Sequence, residues 1–460
     1  MKNFKLEIPG VKGILRVYQK HGVAHLERLN GNALLADEMG LGKTVQVIAW
    51  VALHEGIDHI VIACPLSVKL QWKKEFKKWC PSRKVELLSG KTPYDFKCST
   101  VILNYDIIAG WKKKLKKGLH GTNLLVLDEC HRIKNPKAKR TKAVMKMRKK
   151  FKHIIGVSGT PITDRPYNLY TIIQLIRPSL FPNFFRYAIN FCDAKHTRWG
   201  WDFSGAKNTK TLNKILKSTI MIRRLKKDVI KELPAKTRTV IPMDIENRRE
   251  YCRAENNFGE WLRNSPEAKN KVTVKSKVEA LMQLCLIGKM DACFSWLDDF
   301  LETGKKLVVF ATHHKTVDLL MKRYKKNAVQ YDGRCSSKEK DKAKHSFIHN
   351  RKINLFCANL QAAGVGIDGL QEVCSDTCHI ELGWSPGDLD QADDRVHRIG
   401  QKADAVNAYY LIADGTIESE KATLLDRKRK VLLSVLDGVG KVSKRDLLTA
   451  LIRKYKRGKQ

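Results

Sequence analysis

The chain has 460 residues, 43% of them hydrophobic, and carries 87 Lys plus Arg against 47 Asp plus Glu, a formal net charge of +40. That length exceeds one comfortable core and predicts two domains of roughly 200 residues each, and the apolar content excludes a disordered chain. The one-sided charge points to a polyanion, nucleic acid ahead of membrane, since no long apolar span or lipidation signal is evident.

The N-terminus, Met1-Lys2-Asn3-Phe4-Lys5, lacks an apolar signal core and predicts an intracellular protein, cytoplasmic in a virus or prokaryote and nuclear in a eukaryote. The twelve cysteines form no C-x-x-C pair. Cys374 and Cys378 make at most half a metal site, so buried, reduced thiols are expected and zinc is not. Leu15-Arg16-Val17-Tyr18-Gln19 reads as a helix start, from which Gln19 could recognise an adenine edge. Short β-rich runs then alternate with helical patterns: Ala33–Ala36, Ile60–Cys64, Val101–Leu103, Leu124–Leu127 and Ile154–Val157. A second series follows at Leu307–Ala311, Ala328–Tyr331, Ile353–Cys357, Cys378–Leu382 and Val406–Ile412. This is the pattern of two α/β parallel sheets in tandem. Between them the chain is mostly helical, and it becomes helical again after Ile412.

After the first strand stands Asp37-Glu38-Met39-Gly40-Leu41-Gly42-Lys43-Thr44. Gly40 and Gly42, with Leu41 between them, let backbone N–H groups close on phosphate oxygens at the positive end of a helix. Lys43 would reach the β- and γ-phosphates of ATP, and the Thr44 hydroxyl would ligate Mg²⁺. The strict phosphate-loop pattern fails at its first glycine, where Asp37 stands. Leu124–Leu127 delivers Asp128-Glu129-Cys130-His131. Asp128 would hold the metal and Glu129 would orient or deprotonate the attacking water. Ser158-Gly159-Thr160-Pro161 ends another strand, where hydroxyls could sense the γ-phosphate. In the second series, Arg395 and Arg398 are three apart, on one face if helical, and could act as arginine fingers worth about 10³–10⁵ in rate. The plainer alternative pairs them with Asp393 and Asp394 on a solvated helix. Ala362-Ala363-Gly364-Val365-Gly366-Ile367-Asp368 offers a turn where backbone can approach a ligand or a strand of nucleic acid.

The ordered set Asp37–Thr44, Cys64–Val68 with Gln71–Glu75, Asp128–His131 with Lys134-Asn135, Gly159–Pro161 and Gln391–Gln401 resembles the Swi/Snf-type ATPases of helicase superfamily two. Cys192–Lys195, Trp199–Asp202, and Arg223–Val229 with Leu233–Lys236 look most like the annealing-helicase (HepA-related protein) branch. The resemblance implies two RecA-like lobes: 1–240 with a helical insertion about 163–222, and 241–460 with a helical lead-in about 246–300. Helices about 416–460 form a C-terminal brace. It implies an ATP- and Mg²⁺-dependent, monomeric DNA translocase or helicase with Lys43, Asp128, Glu129, His131, Arg395 and Arg398 in catalysis. Gln19, Gly366, Asp368 and Gln391 join the phosphate loop around the nucleotide. DNA-facing positions would be Ser67, Gln71, Trp72, Asn104, Tyr105, Lys134, Asn135, Thr312, Ala363 and Gly364.

The implied task is remodelling of forked or branched DNA by branch migration, fork regression or strand annealing, in replication, recombination or repair. Single-strand-binding, replication or recombination proteins would be its partners. The alternatives are a chromatin remodeller, a strand-separating or RNA helicase, and a nucleic-acid-binding scaffold with an inactive ATP site. Two features have open roles. Arg132 to His153 contains no acid and many bases, a solvated face or a backbone-tracking stripe. Phe181, Phe184, Phe185, Tyr187 and Phe191, with Trp199 and Trp201, form a core of the insertion or a wedge at a fork.

Overall fold

The computed structural model describes residues 8–198, 200–257, 274–363 and 367–439. By its internal contacts the chain divides into a first unit, which ends at Glu232 and resumes at Lys430, and a second unit, Leu233–Arg429.

The first unit is built on the strands β1 (Asn32–Leu35), β2 (His59–Cys64), β3 (Val85–Leu87), β4 (Thr100–Asn104), β5 (Asn123–Asp128) and β6 (His153–Val157). A hairpin, β7 (Lys195–Thr197) and β8 (Gly200–Asp202), stands apart, and β9 (Met221–Ile222) returns to the sheet. The sheet order is β3-β4-β2-β5-β6-β1-β9, and every neighbouring pair is parallel. A parallel sheet covered on both faces needs strands that are apolar throughout, and Ile60–Cys64 and Leu124–Leu127 are fully buried. Helices cover it, among them Lys43–Leu53 with Val47, Ile48 and Trp50 buried. The end of the helix Ile417–Leu436 belongs here too: Leu432, Val435 and Leu436 share a core with Leu212, Leu216 and Leu169.

The second unit contains β10 (Ala235–Met243), β11 (Leu307–Ala311), β12 (Ala328–Tyr331), β13 (Leu355–Asn359), β14 (Asp376–His379) and β15 (Ala405–Ala413). Their order is β10-β15-β14-β11-β13-β12, again parallel throughout. Two parallel α/β sheets in tandem are therefore present. Some details differ from the sequence reading. The strand expected at Ile353–Cys357 runs at Leu355–Asn359, and that expected at Cys378–Leu382 ends at His379. There Glu381 turns inward to accept hydrogen bonds from the backbone N–H groups of Thr312 (3.0 Å) and His313 (3.1 Å). β10, unforeseen, spans the expected boundary at 240/241 and lies wholly in the second sheet.

One helix also departs from expectation, because Lys277–Glu302 is long and apolar enough to cross a membrane by length and composition. In this unit Met290, Cys293 and Leu297 pack it against β11, β13 and β14 residues. Its fully buried Lys289 ammonium donates to Glu418 (2.7 and 2.9 Å) and to the carbonyls of Ile380 (2.6 Å) and Leu411 (2.8 Å). Burial of a lysine is tolerable only with such complete pairing. All twelve cysteines are free thiols, and Cys374 and Cys378 are buried.

Candidate nucleotide site

β1 feeds the loop Asp37–Gly42, which enters the helix Lys43–Leu53. Gly40 (φ 81°) and Gly42 (φ 69°) adopt the left-handed conformation that side chains resist. A Cβ on Gly42 would lie 2.4 Å from Gln19 Nε2, so Gln19 sits directly behind the loop. Gln19 also accepts from Arg16 N (2.9 Å), fixing the helix start expected from the sequence. Beside it a cavity of about 640 Å³ is lined by Arg16, Val17, Tyr18 and the segment Asp228–Glu232. Leu41 is buried, and its carbonyl accepts from Gln46 Nε2 (3.2 Å). The Lys43 ammonium donates to the carbonyls of Asp37 (2.9 Å) and Glu38 (3.2 Å). Burial pushes its pKa down although Glu129 and Asp37 act the other way.

Asp128 ends β5, and Glu129 follows in the left-handed region (φ 51°), a turn that presents the two carboxylates side by side. Asp128 accepts from Trp72 Nε1 (2.7 Å) through one oxygen and from Glu129 N (3.0 Å) through the other. Its backbone carbonyl accepts from the Tyr105 hydroxyl (2.7 Å). Glu129 accepts from Ser158 Oγ (2.8 Å), with His131 Nδ1 3.3 Å away. His131 Nδ1 also lies 3.2 Å from Ser158 Oγ, which accepts from Thr160 N (3.2 Å). Burial and the neighbouring Glu129 charge raise the Asp128 pKa, whereas Glu129 is held low against its own burial by His131, Lys43 and Ser158.

Sequence reasoning missed what carries the loop. Beyond β9 the chain continues alongside β1: Ala36 N donates to Ile222 O (2.7 Å) and Glu38 N to Arg224 O (3.0 Å). Asp37 is fully buried and accepts from Arg224 Nε (3.0 Å), from Arg224 N (3.0 Å) and from Gln46 Nε2 (3.1 Å). The same guanidinium donates to Tyr18 O and lies 5.7 Å from the centre of the Tyr18 ring. The helix bearing Tyr18 approaches so closely that a Cβ on Gly22 would meet Gln46 Oε1 at 1.9 Å. Next to it, Arg223 donates to the carbonyls of Ala36 (2.8 Å) and Gly159 (2.9 Å) and to Asp437 (2.8 Å). Asp37, which breaks the strict glycine pattern, is thus the anchor of the loop.

The expected DNA-facing residues of this unit separate into two groups. Ser67, Gln71 and Asn135 are exposed, and Lys134 is tied to Thr163 Oγ1 (2.6 Å). Trp72, Tyr105 and Asn104 are buried. Trp72 and Tyr105 fix Asp128.

In the second unit Arg395 and Arg398 follow the helix Pro386–Asp393 in a turn and not on its face, a correction. Both donate to the carbonyl of Ile367 (3.1 and 3.0 Å), so the two guanidinium groups still converge, and Arg398 also pairs with Asp368. Burial pushes the Arg398 pKa down to about 10. Asp393 and Asp394 are buried, not solvated. Asp393 accepts from Arg238 (3.0 Å), His379 (2.8 Å) and Tyr410 (2.9 Å), and Asp394 accepts from Lys236 (2.9 Å). The alternation of Lys236 and Arg238 along β10 was the available signal. Gln391 is buried nearby in sequence, and the Thr312 hydroxyl is enclosed without a hydrogen-bond partner among the described residues. Ala363 closes the helix Leu360–Ala363, while Gly364, Gly366 and Trp199 lie outside the described residues.

Lysine, paired carboxylates and a hydroxyl gathered at the strand ends of one sheet are the parts of a nucleoside-triphosphate site. The family model "SNF2-related domain" matches residues 18–293, and "Helicase conserved C-terminal domain" matches residues 288–400. The chain belongs to the SNF2-related family of ATPases. It is 34% identical over 428 residues to the SWI/SNF-related matrix-associated actin-dependent regulator of chromatin subfamily A-like protein 1 of Xenopus tropicalis, covering 91% of this chain and 44% of that protein. It is 31% identical over 438 residues to the DNA annealing helicase and endonuclease ZRANB3 of Homo sapiens, covering 92% and 40%. This SNF2-related chain spans less than half the length of these two relatives. A Sulfolobus solfataricus SWI2/SNF2 ATPase core in complex with dsDNA aligns over 97% of this chain and 98% of its own, with 24% identity and a TM-score of 0.44.

Proposed function

We propose that this SNF2-related ATPase is a DNA-dependent translocase that remodels forked or branched DNA. The observation that carries the ATPase half is the bonded group Glu129, His131 and Ser158 beside Asp128, with Lys43 within reach of the charges of both carboxylates. Thr44 and Asp128 offer the oxygen donors that suit Mg²⁺, and Asp128 keeps lone pairs beyond its two hydrogen bonds. Bound there, Mg²⁺ would neutralise charge on the transferring phosphoryl group. Lys43 exchanges loop carbonyls for phosphate oxygens. Glu129, kept ionised by its donors, orients the attacking water and accepts its proton. His131 and Ser158 hold Glu129 in place, and Ser158 passes its position to Thr160. The cavity beside Gln19 and Tyr18 takes the adenosine end. Arg395 and Arg398 are the positive groups that stabilise phosphoryl charge in the transition state.

The DNA half is supported by the +40 charge and by the relatives, one of which is named a DNA annealing helicase. The test is hydrolysis measured without nucleic acid and with single strands, blunt duplex, forks, four-way junctions, nucleosomes and RNA. Forks and junctions should stimulate most and their branch points should move. Equal stimulation by plain duplex, with no branch movement, defeats the fork reading. Nucleosomes as the best activator would favour chromatin remodelling, since the Xenopus relative is named a regulator of chromatin. Glu129→Gln should lower turnover by about 10²–10⁴ while ATP still binds; retained turnover removes the role given to Glu129.

A further inference from the structure

The insertion between β6 and β9 holds a dense aromatic cluster that nucleotide chemistry does not use. Its interior is ordinary core: Tyr187 and Phe191 are buried, and the Tyr187 hydroxyl donates to Pro166 O (2.7 Å). Its outer edge is not. Phe185 is 48% exposed and Trp201 47% exposed, with their ring centres 5.6 Å apart. Trp201 stands on β8 opposite His196 of β7, their rings 5.3 Å apart. Phe203 lies parallel to Trp201 at 6.2 Å and against Phe184 at 5.0 Å, which ties the outer rings to the buried ones. Ile189, one helical turn beyond Phe185, is also exposed. An exposed cluster of large rings shared by a helix and a hairpin costs solvation and calls for a partner.

The surrounding charge selects that partner. Between 181 and 210 the bases Arg186, Lys195, Arg198, Lys207 and Lys210 outnumber the acids Asp193 and Asp202. Both acids are engaged locally, Asp193 by Lys195 (2.9 Å) and Asp202 by Ser204 N (2.9 Å) and Ser204 Oγ (2.9 Å). Exposed ring faces beside a basic rim match a strand that has phosphates and free base faces together. Duplex DNA hides those faces in its stack, and a protein partner does not require the positive rim. We propose that Phe185 and Trp201 form a stacking platform for unpaired bases of single-stranded DNA, with Arg186, Lys207 and Lys210 holding the phosphates. The platform deepens the fork reading above and rests on it for its biological setting, since a fork supplies unpaired arms.

The experiment measures the affinity of the full chain for a labelled oligo-dT and for a strand of equal length with abasic sites across its centre. The parent should favour the base-bearing strand. Trp201→Ala and Phe185→Ala should each weaken oligo-dT binding on the order of tenfold, leave abasic-strand binding little changed, and so erase the preference. Trp201→Phe should retain most of it. Both side chains are surface-exposed, and an unchanged thermal midpoint verifies folding. Unchanged oligo-dT affinity in both alanine variants overturns the proposal and leaves the patch to a protein. An equal loss on both strands overturns it as well, because stacking is then not the contact. Fork-stimulated hydrolysis by the parent is read separately. If forks fail to stimulate while the base preference depends on Trp201, the fork reading falls and the platform stands.

Discussion

Each unit places one fully buried aspartate beneath the loop that carries its functional groups, and the two aspartates are held differently. Asp37 underlies the phosphate loop and is held through Arg224, a residue that also reaches the Tyr18 carbonyl and Gln46. Asp393 underlies the arginine turn and is held by Arg238, His379 and Tyr410, with Asp390 sharing Arg238 (2.6 Å) and Arg429 (3.0 Å). The first arrangement is a single hub joining the helix that bears Tyr18 to the loop. The second is a mesh that binds the acids next to Arg395 and Arg398 to several donors at once. The hub should fail as a unit when its arginine is lost, whereas the mesh should lose stability first.

The largest expected effect is Arg238→Met, which leaves Asp390 and Asp393 without their shared cation in a buried setting. It should destabilise the second unit by about 3–5 kcal/mol, read from the shift in urea midpoint. A loss under about 1 kcal/mol would show that His379, Tyr410 and Arg429 suffice. Next comes Asp37→Gly, which restores the strict glycine spacing of a phosphate loop. The sequence pattern alone favours this change, yet the structure predicts weaker ATP binding and a loss of about 2–4 kcal/mol, because Arg224 loses its counter-ion. Adding Arg224→Met should recover part of the stability, and the absence of recovery would dissolve the hub.

A pH series sharpens the comparison further. Burial raises the Asp393 pKa, but Arg238 and His379 outweigh it and hold it below the ordinary carboxylate value. Its stabilising contribution is therefore complete above the unfolded pKa near ~3.9 and is lost as pH falls below that toward the folded value. Urea midpoints should fall more steeply below about pH 4 in the parent than in Asp393→Asn. The smallest effect is Asp437→Ala, since Arg223 keeps the carbonyls of Ala36 and Gly159. A loss of about 1–2 kcal/mol in the first unit is expected by thermal melting.

Much of this was legible in the sequence because parallel strands buried on both faces must be apolar runs, and their ends carry the chemistry. The loop Asp37–Thr44 and the pair Asp128-Glu129 could be read directly for that reason. β10 escaped notice because Ala235-Lys236-Thr237-Arg238-Thr239 lacks an apolar run; it is an edge strand whose bases serve buried acids. β9 has only two residues. The resemblance places Trp72 and Tyr105 among DNA-facing positions, and no local pattern shows that both side chains reach Asp128. Their common partner, Asp128, lies 56 and 23 residues away. Arg224 is likewise 187 residues from Asp37, and no local pattern links them.

The helix that ends in Leu432, Val435 and Leu436 has a consequence for synthesis. Domains generally fold in the order in which the ribosome releases them, the N-terminal one first. Here Asn213 Nδ2 has its acceptors at Val435 O and Leu436 O, both 2.8 Å away, and Leu212 and Leu216 share their core with the same turn. The first unit therefore lacks part of its interior until the second has been translated in full. A nascent chain halted after Glu232 would present that uncovered apolar surface to chaperones, and the phosphate loop would mature late.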